Sequence, residues 1–223
     1  MPRLLLRADA VLRGELGSFA GLTQGRSLLV LASLVCVFGS FYGAMMGTFG
    51  GLMGDRALQV LYSALKVPLL LFVTFVLALP SFFIFNTLFG LRPDFPTALR
   101  ALVASQAGLT IVLASLAPFT LLWNVSTTAH GQAVLFNAAM FWVAATRGQF
   151  LLRRYYRELL ERDVRHKTML RLWGVLYAFV GIQMAWILRP FVGDPHLPVS
   201  FFREDTWGNA YIILTQLIRK TLF

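Results

Sequence analysis

Long apolar stretches separated by short charged connections dominate the pattern of this chain. A helix needs about 20 apolar residues to cross the hydrocarbon core of a bilayer, and five stretches reach that length. The predicted spans cover residues 27–53, 67–91, 101–123, 132–152 and 172–192. The pattern therefore predicts an all-α integral membrane protein with five transmembrane helices.

The final apolar segment, residues 207–218, is shorter than a usual crossing. We interpret it as a C-terminal interfacial or re-entrant helix, and a sixth span is the alternative. The pattern contains no soluble domain and no internal repeat. One membrane domain is therefore predicted to cover residues 1–223.

The connection after the first span is also apolar. Residues 57–65 are too few to cross the membrane, so we expect them to lie in the interface or to begin the next helix. Lys66 and Pro68 are predicted to open the second span, because proline is well tolerated in the first turn of a helix. Pro80 lies within that span and predicts a kink.

Four glycines recur at every fourth position in the first span, namely Gly39, Gly43, Gly47 and Gly51. On a helix this spacing places them on one face. In lipid, small residues let two helix backbones approach closely and gain van der Waals contact. The spacing predicts a helix-packing seam of the glycine-zipper type.

The N-terminal segment, residues 1–26, alternates leucines with arginines. Leu5, Leu12 and Leu16 recur at helical spacing with charges between them, unlike the compact apolar core of a signal peptide. We predict an amphipathic helix on the cytoplasmic surface of the membrane. A partly disordered basic leader is the alternative.

Composition supports the membrane class. Hydrophobic residues make up 57% of the chain and charged residues 13%, and the mean hydropathy is +0.69, which excludes an ordinary soluble domain. The net charge of +10 lies in the gaps between apolar runs, so we attribute it to membrane orientation and not to nucleic-acid binding. The single cysteine, Cys36, excludes an intrachain disulfide and a thiolate metal cluster.

A basic segment follows the fourth span. Its cations include Arg153, Arg154, Arg157, Arg162, Arg165 and Lys167. Positive loops favour the cytoplasmic side, where they meet anionic lipid. We therefore predict a multi-pass protein of the cell inner membrane with a cytoplasmic N-terminus and an external loop at residues 124–131.

The same orientation gathers a second set of charges on the external face. These residues form a predicted charge clasp: Arg189, Asp194, Arg203, Glu204 and Asp205. We expect Arg189 to pair with one of the acids, with Glu204 the first choice, and to hold the loop at residues 195–202. An acid–base or metal site is the alternative. However, the chain has no HExxH, no Cys/His ligand spacing and no nucleophile elbow, so we predict no enzyme activity, no metal and no cofactor.

Four amides lie within predicted spans: Asn86, Gln106, Asn137 and Gln183. They either form hydrogen bonds between helices or line a transport path. No span carries an acidic residue near its middle, which disfavours a proton- or cation-coupled carrier. We therefore expect an accessory or scaffold subunit, and a small-solute transporter or channel is the alternative.

Two stretches carry a family resemblance, KVPLLLFVTFVLALPSFFIFNTLFG and RPFVGDPHLPVSFFREDTWGNAY. They resemble bacterial multi-pass proteins of similar length. The basic N-terminal segment, the five spans with kinking prolines and the short external tail together resemble the overall plan of Yip1-type membrane proteins, and the resemblance covers about residues 27–218. The resemblance implies a membrane-organising or partner-binding role without catalytic residues. The expected partners are the lipid bilayer with its anionic lipids and other membrane subunits or a second copy.

The charge pattern makes a topology prediction. A cysteine introduced at Thr127 should react with an impermeant maleimide in intact cells, because its loop faces outward. A cysteine introduced at Arg162 should stay unlabelled. The opposite labelling pattern would contradict the predicted orientation.

Overall fold

The computed structural model describes residues 2–15, 23–51, 54 and 56–203, with side chains of the first helix described from Leu4 onward. Within these residues the chain forms α-helices and no strand. The helices are α1 (Pro2–Leu12), α2 (Gln24–Gly47), α3 (Arg56–Leu88), α4 (Phe95–Ser126), α5 (His130–Tyr155), α6 (Arg157–Arg162) and α7 (Arg165–Ile187). A 3-10 turn, Arg92–Asp94, leads into α4.

Four helices are long and apolar enough to cross a membrane. They are α2, α3, α4 with the turn before it, and α7, which confirms the prediction of a multi-pass helical protein. The remaining predicted span, residues 132–152, lies within α5, which has 26 residues but is more polar than the other four. The segment at residues 207–218 lies outside the described residues.

Helix α3 is longer than the span predicted for it. It contains 33 residues, which corresponds to about 50 Å at ~1.5 Å per residue. Residues 57–65 begin this helix, so Lys66 and Pro68 lie inside it and not at its start. The second alternative for residues 57–65 is thereby confirmed. The placement of Pro68 in the first turn was wrong, because proline inside a membrane helix is tolerated where neighbouring helices support the backbone.

Helix α2 lies between α3 and α4 and packs against both, while α5 packs against α4 and α7 against α3. The buried share differs between the helices. In the most apolar stretch of α4, 61% of residues are buried inside the protein, against 6% for α7. Helix α4 is therefore an interior element, and α7 presents most of its surface outward.

The closest approach of α2 and α3 occurs at two of the predicted glycines. A Cβ atom at Gly43 would overlap the carbonyl oxygen of Ser63 and lie 3.0 Å from the Cα atom of Ala64. A Cβ atom at Gly47 would lie 2.8 Å from the Cα atom of Val60. Only glycine leaves room for the backbones at these two positions.

The other two glycines of the predicted seam have more space. At Gly39 a Cβ atom would lie 3.5 Å from the Thr110 side chain, which is an ordinary contact. Gly51 is not on the helix, because α2 ends at Gly47. Gly51 instead has a φ of +111° and nothing within 4 Å of an added Cβ atom. Its assignment to the helical face was therefore wrong.

Helix α1 packs against α4. Ala8 and Val11 are buried, and the hydroxyl group of Tyr155 donates a hydrogen bond to the Val11 carbonyl. Leu5 and Leu6 remain exposed. Part of the predicted surface helix is thus docked on the bundle.

The helix predicted to continue beyond the fourth span is interrupted. Helix α5 ends at Tyr155, and the short α6 starts two residues later with Tyr156 between them. Tyr156 is fully buried beside Leu159 and Trp173 in a second apolar cluster. The chain changes direction at this buried ring, and α6 packs against α7.

The α2–α3 contact makes a stability prediction. Replacing Gly43 with alanine should lower the free energy of unfolding by about 1–3 kcal/mol, as overpacking commonly does. Gly39→Ala and Gly174→Ala are matched controls, because both positions accept a Cβ atom and alanine favours a helix interior. Thermal melting in detergent measures the effect, and equal melting of all three variants would contradict it.

Candidate functional site

A polar column lies along the first half of α3. Its members are Arg56, Gln59, Ser63 and Lys66, and their spacing of three, four and three residues places them on one face of the helix. The segment that follows α7, residues 188–203, runs against this column. We call it the return segment.

The column binds the backbone carbonyls of the return segment. The Lys66 ammonium group donates to the Pro190 carbonyl at 2.8 Å, and the Ser63 hydroxyl group donates to the Phe191 carbonyl at 2.5 Å. The Gln59 amide lies 3.4 Å from the same Phe191 oxygen. Each of these three side chains is buried.

Arg56 extends the column by one more turn. Its guanidinium group donates to the Asp194 carbonyl at 2.9 Å and to the Pro195 carbonyl. The return segment is irregular backbone, and its carbonyls have no helical partner. Buried carbonyls without partners are costly, so side chains of α3 take the place of a helical hydrogen-bond ladder.

Helix α5 contributes a further contact. The Nε2 atom of His130 lies 3.2 Å from the Val192 carbonyl, and its Nδ1 atom lies 3.9 Å from the Asp194 carboxylate. The hydrogen bond from the His196 backbone N–H lowers the pKa of Asp194. The return segment therefore joins the first turn of α5 to the first half of α3.

The predicted charge clasp falls only partly within these contacts. Asp194 and Arg203 are described, and the Arg189 guanidinium carbon lies 3.4 Å from the centre of the Trp186 ring. Glu204 and Asp205 lie outside the described residues. The pairing of Arg189 with an acid stays a prediction.

Sequence reasoning missed the role of the α3 column. The signal was the helical spacing of four polar residues, but the predicted boundary at Lys66 separated three of them from the span. Their partners are backbone carbonyls, which every residue type carries. The side chains of the return segment therefore could not be used to predict the hydrogen bonds that its backbone accepts from α3.

At the opposite end of the bundle, Asp94 joins the turn before α4 to α6 and α7. Its carboxylate lies 3.2 Å from the Nε2 atom of His166 and 3.4 Å from the Arg162 guanidinium group. His166 is fully buried, and its ring lies 5.8 Å from that of Tyr156. These contacts fix the α6–α7 elbow against the α3–α4 connection.

The predicted basic segment divides between structural and outward-facing cations. Arg165 donates to the Phe89 carbonyl at 2.8 Å, and its hydrogen bond to Asp163 lowers the pKa of that carboxylate. The Arg154 side chain lies against Gly14. The side chains of Arg153, Arg157 and Lys167 face outward.

Several polar side chains inside the bundle bond across helices, whereas Asn86 donates to the Phe82 carbonyl of its own helix. Tyr42 donates to the Asn137 amide oxygen at 3.0 Å, and Tyr177 donates to the Gln106 amide oxygen at 2.9 Å. Asn124 donates to the Met45 carbonyl at 3.1 Å. These bonds connect α2 with α4 and α5, and α4 with α7.

Comparison with protein-family models, with curated proteins and with solved structures finds no match. Among the residues that the structure describes, no group of three or more His, Cys, Asp and Glu side chains is placed to hold a metal ion.

The α3 column makes a second structural prediction. Replacing Lys66 with methionine nearly keeps the length of the side chain and removes the closer of the two donors to the Pro190 carbonyl, the other being the Gln59 amide at 3.5 Å. We expect a loss of about 1–3 kcal/mol in unfolding free energy and faster amide hydrogen exchange in the return segment. Lys167→Met, at an exposed lysine, is the control. Unchanged exchange in Lys66→Met would show that the column does not hold this segment.

Proposed function

We propose that this chain is a non-catalytic integral protein of the cell inner membrane that acts as an accessory, scaffold or membrane-organising subunit through protein–protein contacts. In this proposal α5 is the fifth crossing and the N-terminus is cytoplasmic. The α6–α7 elbow then faces the cytoplasm, and the return segment faces the opposite side.

The interhelical hydrogen bonds carry this proposal. A transport path requires polar side chains that face a hydrated cavity and exchange partners as the solute passes. Gln106 and Asn137 are instead bonded to tyrosines of neighbouring helices. These hydrogen bonds hold the helices in one arrangement, as a rigid subunit that binds other proteins requires.

A small-solute transporter or channel remains the second candidate. The feature that bears on it is a small recess between α2, α3 and α4 beside Gln106. Its other lining residues are apolar: Val35, Leu71, Phe72, Phe75 and Val103. An apolar lining offers a polar solute no replacement for its water shell, so this recess supports transport less well than binding.

The outward-facing cations favour a partner or surface of negative charge on the cytoplasmic side. Arg153, Arg157 and Lys167 lie on or beside the α6–α7 elbow, which Asp94 and His166 hold in place. Fixed positive charge next to a membrane attracts anionic lipid and acidic protein segments. The proposed contacts of this subunit therefore include its elbow.

Purification in mild detergent tests the proposal. We expect native mass spectrometry to detect the 24.9 kDa chain together with at least one other membrane protein. Charge reversal of Arg153 and Lys167 should weaken that association without changing the melting temperature, because neither residue is buried. A chain that purifies without another protein and makes liposomes permeable to a small solute would favour the transporter.

A further inference from the structure

The outward face of α7 changes from cationic to apolar along its length. Lys167 and Arg171 lie in the first two turns of the helix, and Val175 and Ile182 follow on the same face at helical spacing. All four side chains are exposed, and 71% of the Val175 surface is accessible. Trp173, on the opposite face, is buried in the bundle.

Three candidate membrane helices end side by side at the cationic end of this face. Helix α3 ends at Leu88, the span that contains α4 begins at Arg92, and α7 begins at Arg165. The hydrogen bond from Arg165 to the Phe89 carbonyl joins two of these ends. In the proposed function these helices cross the membrane, so the α6–α7 elbow lies at its surface, and the inference below rests on that placement.

The two cations of this face have no acidic partner within the described part of the chain. Neither the Lys167 nor the Arg171 side chain makes a hydrogen bond or an ion pair there. The nearest acid in the sequence, Asp163, is bound by Arg165 at 2.7 Å. Like charges four residues apart on a helix repel each other, and an anion held between them removes this repulsion.

Both cationic side chains lean toward the elbow. Side chains on a helix tilt toward its N-terminus, and α7 begins at the elbow. The Cβ atoms of residues four apart on a helix lie about 5–6 Å from each other, so Lys167 and Arg171 can both reach the oxygens of one phosphate group. Their apolar stems extend along the helix surface, as is usual for long basic side chains at a membrane edge.

We propose that Lys167 and Arg171 bind the phosphate group of an anionic phospholipid whose acyl chains lie along Val175 and Ile182. Cations followed by apolar side chains complement the two parts of a phospholipid in the order in which a bilayer presents them. An acidic protein segment complements the cations only. Two cations without an acid favour a lipid of net negative charge over a zwitterionic lipid, whose own cation competes for the phosphate.

Lipid binding to the full chain in mild detergent tests the site. The chain should bind added phosphatidylglycerol more tightly than phosphatidylcholine, as native mass spectrometry measures from the bound fraction. Lys167→Gln combined with Arg171→Gln should lower the affinity for phosphatidylglycerol by about fivefold for each cation removed. Unchanged affinity in this double variant, or equal affinity of the unaltered chain for both lipids, would overturn the proposal.

Arg153→Gln combined with Arg157→Gln is the matched control. It removes the same charge from two exposed arginines that are also four residues apart. The affinity for phosphatidylglycerol should change by less than about twofold, because separate exposed charges are screened by salt. An equal loss in both double variants would show a general effect of net charge and would overturn the site. Displacement of the lipid by millimolar inorganic phosphate would also overturn it, because phosphate has no acyl chain.

A nitroxide label tests whether lipid covers the apolar part of the face. The label is attached at Val175→Cys in the chain with Cys36→Ser, in liposomes that contain phosphatidylglycerol. Contact with acyl chains makes the label accessible to dissolved oxygen and not to a water-soluble nickel complex. Access of the nickel complex, or protection from both reagents, would overturn the proposal.

These readouts separate lipid binding from the proposed subunit role. Protection of the label by a co-purified protein overturns the lipid site and leaves the subunit role intact. A chain that purifies without another protein and makes liposomes permeable to a small solute overturns the subunit role, while selective binding of phosphatidylglycerol still supports the lipid site.

Discussion

The contact between Gly43 of α2 and the backbone of Ser63 sets the geometry of the first half of α3. The absence of a side chain at Gly43 brings the two backbones together. The hydroxyl group of the same Ser63 then binds Phe191 on the return segment. Ser63 thus connects the packing of α2 against α3 with the fold of the return segment.

Backbone carbonyls are the partners of cations at both ends of the molecule. Lys66 and Arg56 bind carbonyls of the return segment, and Arg165 binds the Phe89 carbonyl at the end of α3. A carbonyl accepts a hydrogen bond from a cation without adding an ion that must itself be desolvated. This chemistry suits a basic chain, because 20 Lys and Arg residues face only 10 Asp and Glu.

The sequence predicted the helical membrane class well, because that class follows from the length and spacing of apolar runs. The contacts at Gly43 and Gly47 lie at positions that the small-residue spacing singled out. The placement of Pro68 in the first turn of a helix was wrong, since neighbouring helices support a proline inside α3. The placement of Gly51 on the helix was wrong, since α2 ends at Gly47 and Gly50 and Gly51 have positive φ values after it. The bond between Asp94 and His166 joins residues 72 positions apart. The local sequence around either residue does not predict such a contact.

The reliance of the return segment on its carbonyls has an evolutionary consequence. Every amino acid supplies the same carbonyl group, so substitutions at Phe191 or Asp194 leave the acceptors in place. The donors on α3 have no such freedom, because each depends on a particular side chain. Related chains should therefore vary in the return segment while retaining donor side chains at the positions of Arg56, Gln59, Ser63 and Lys66.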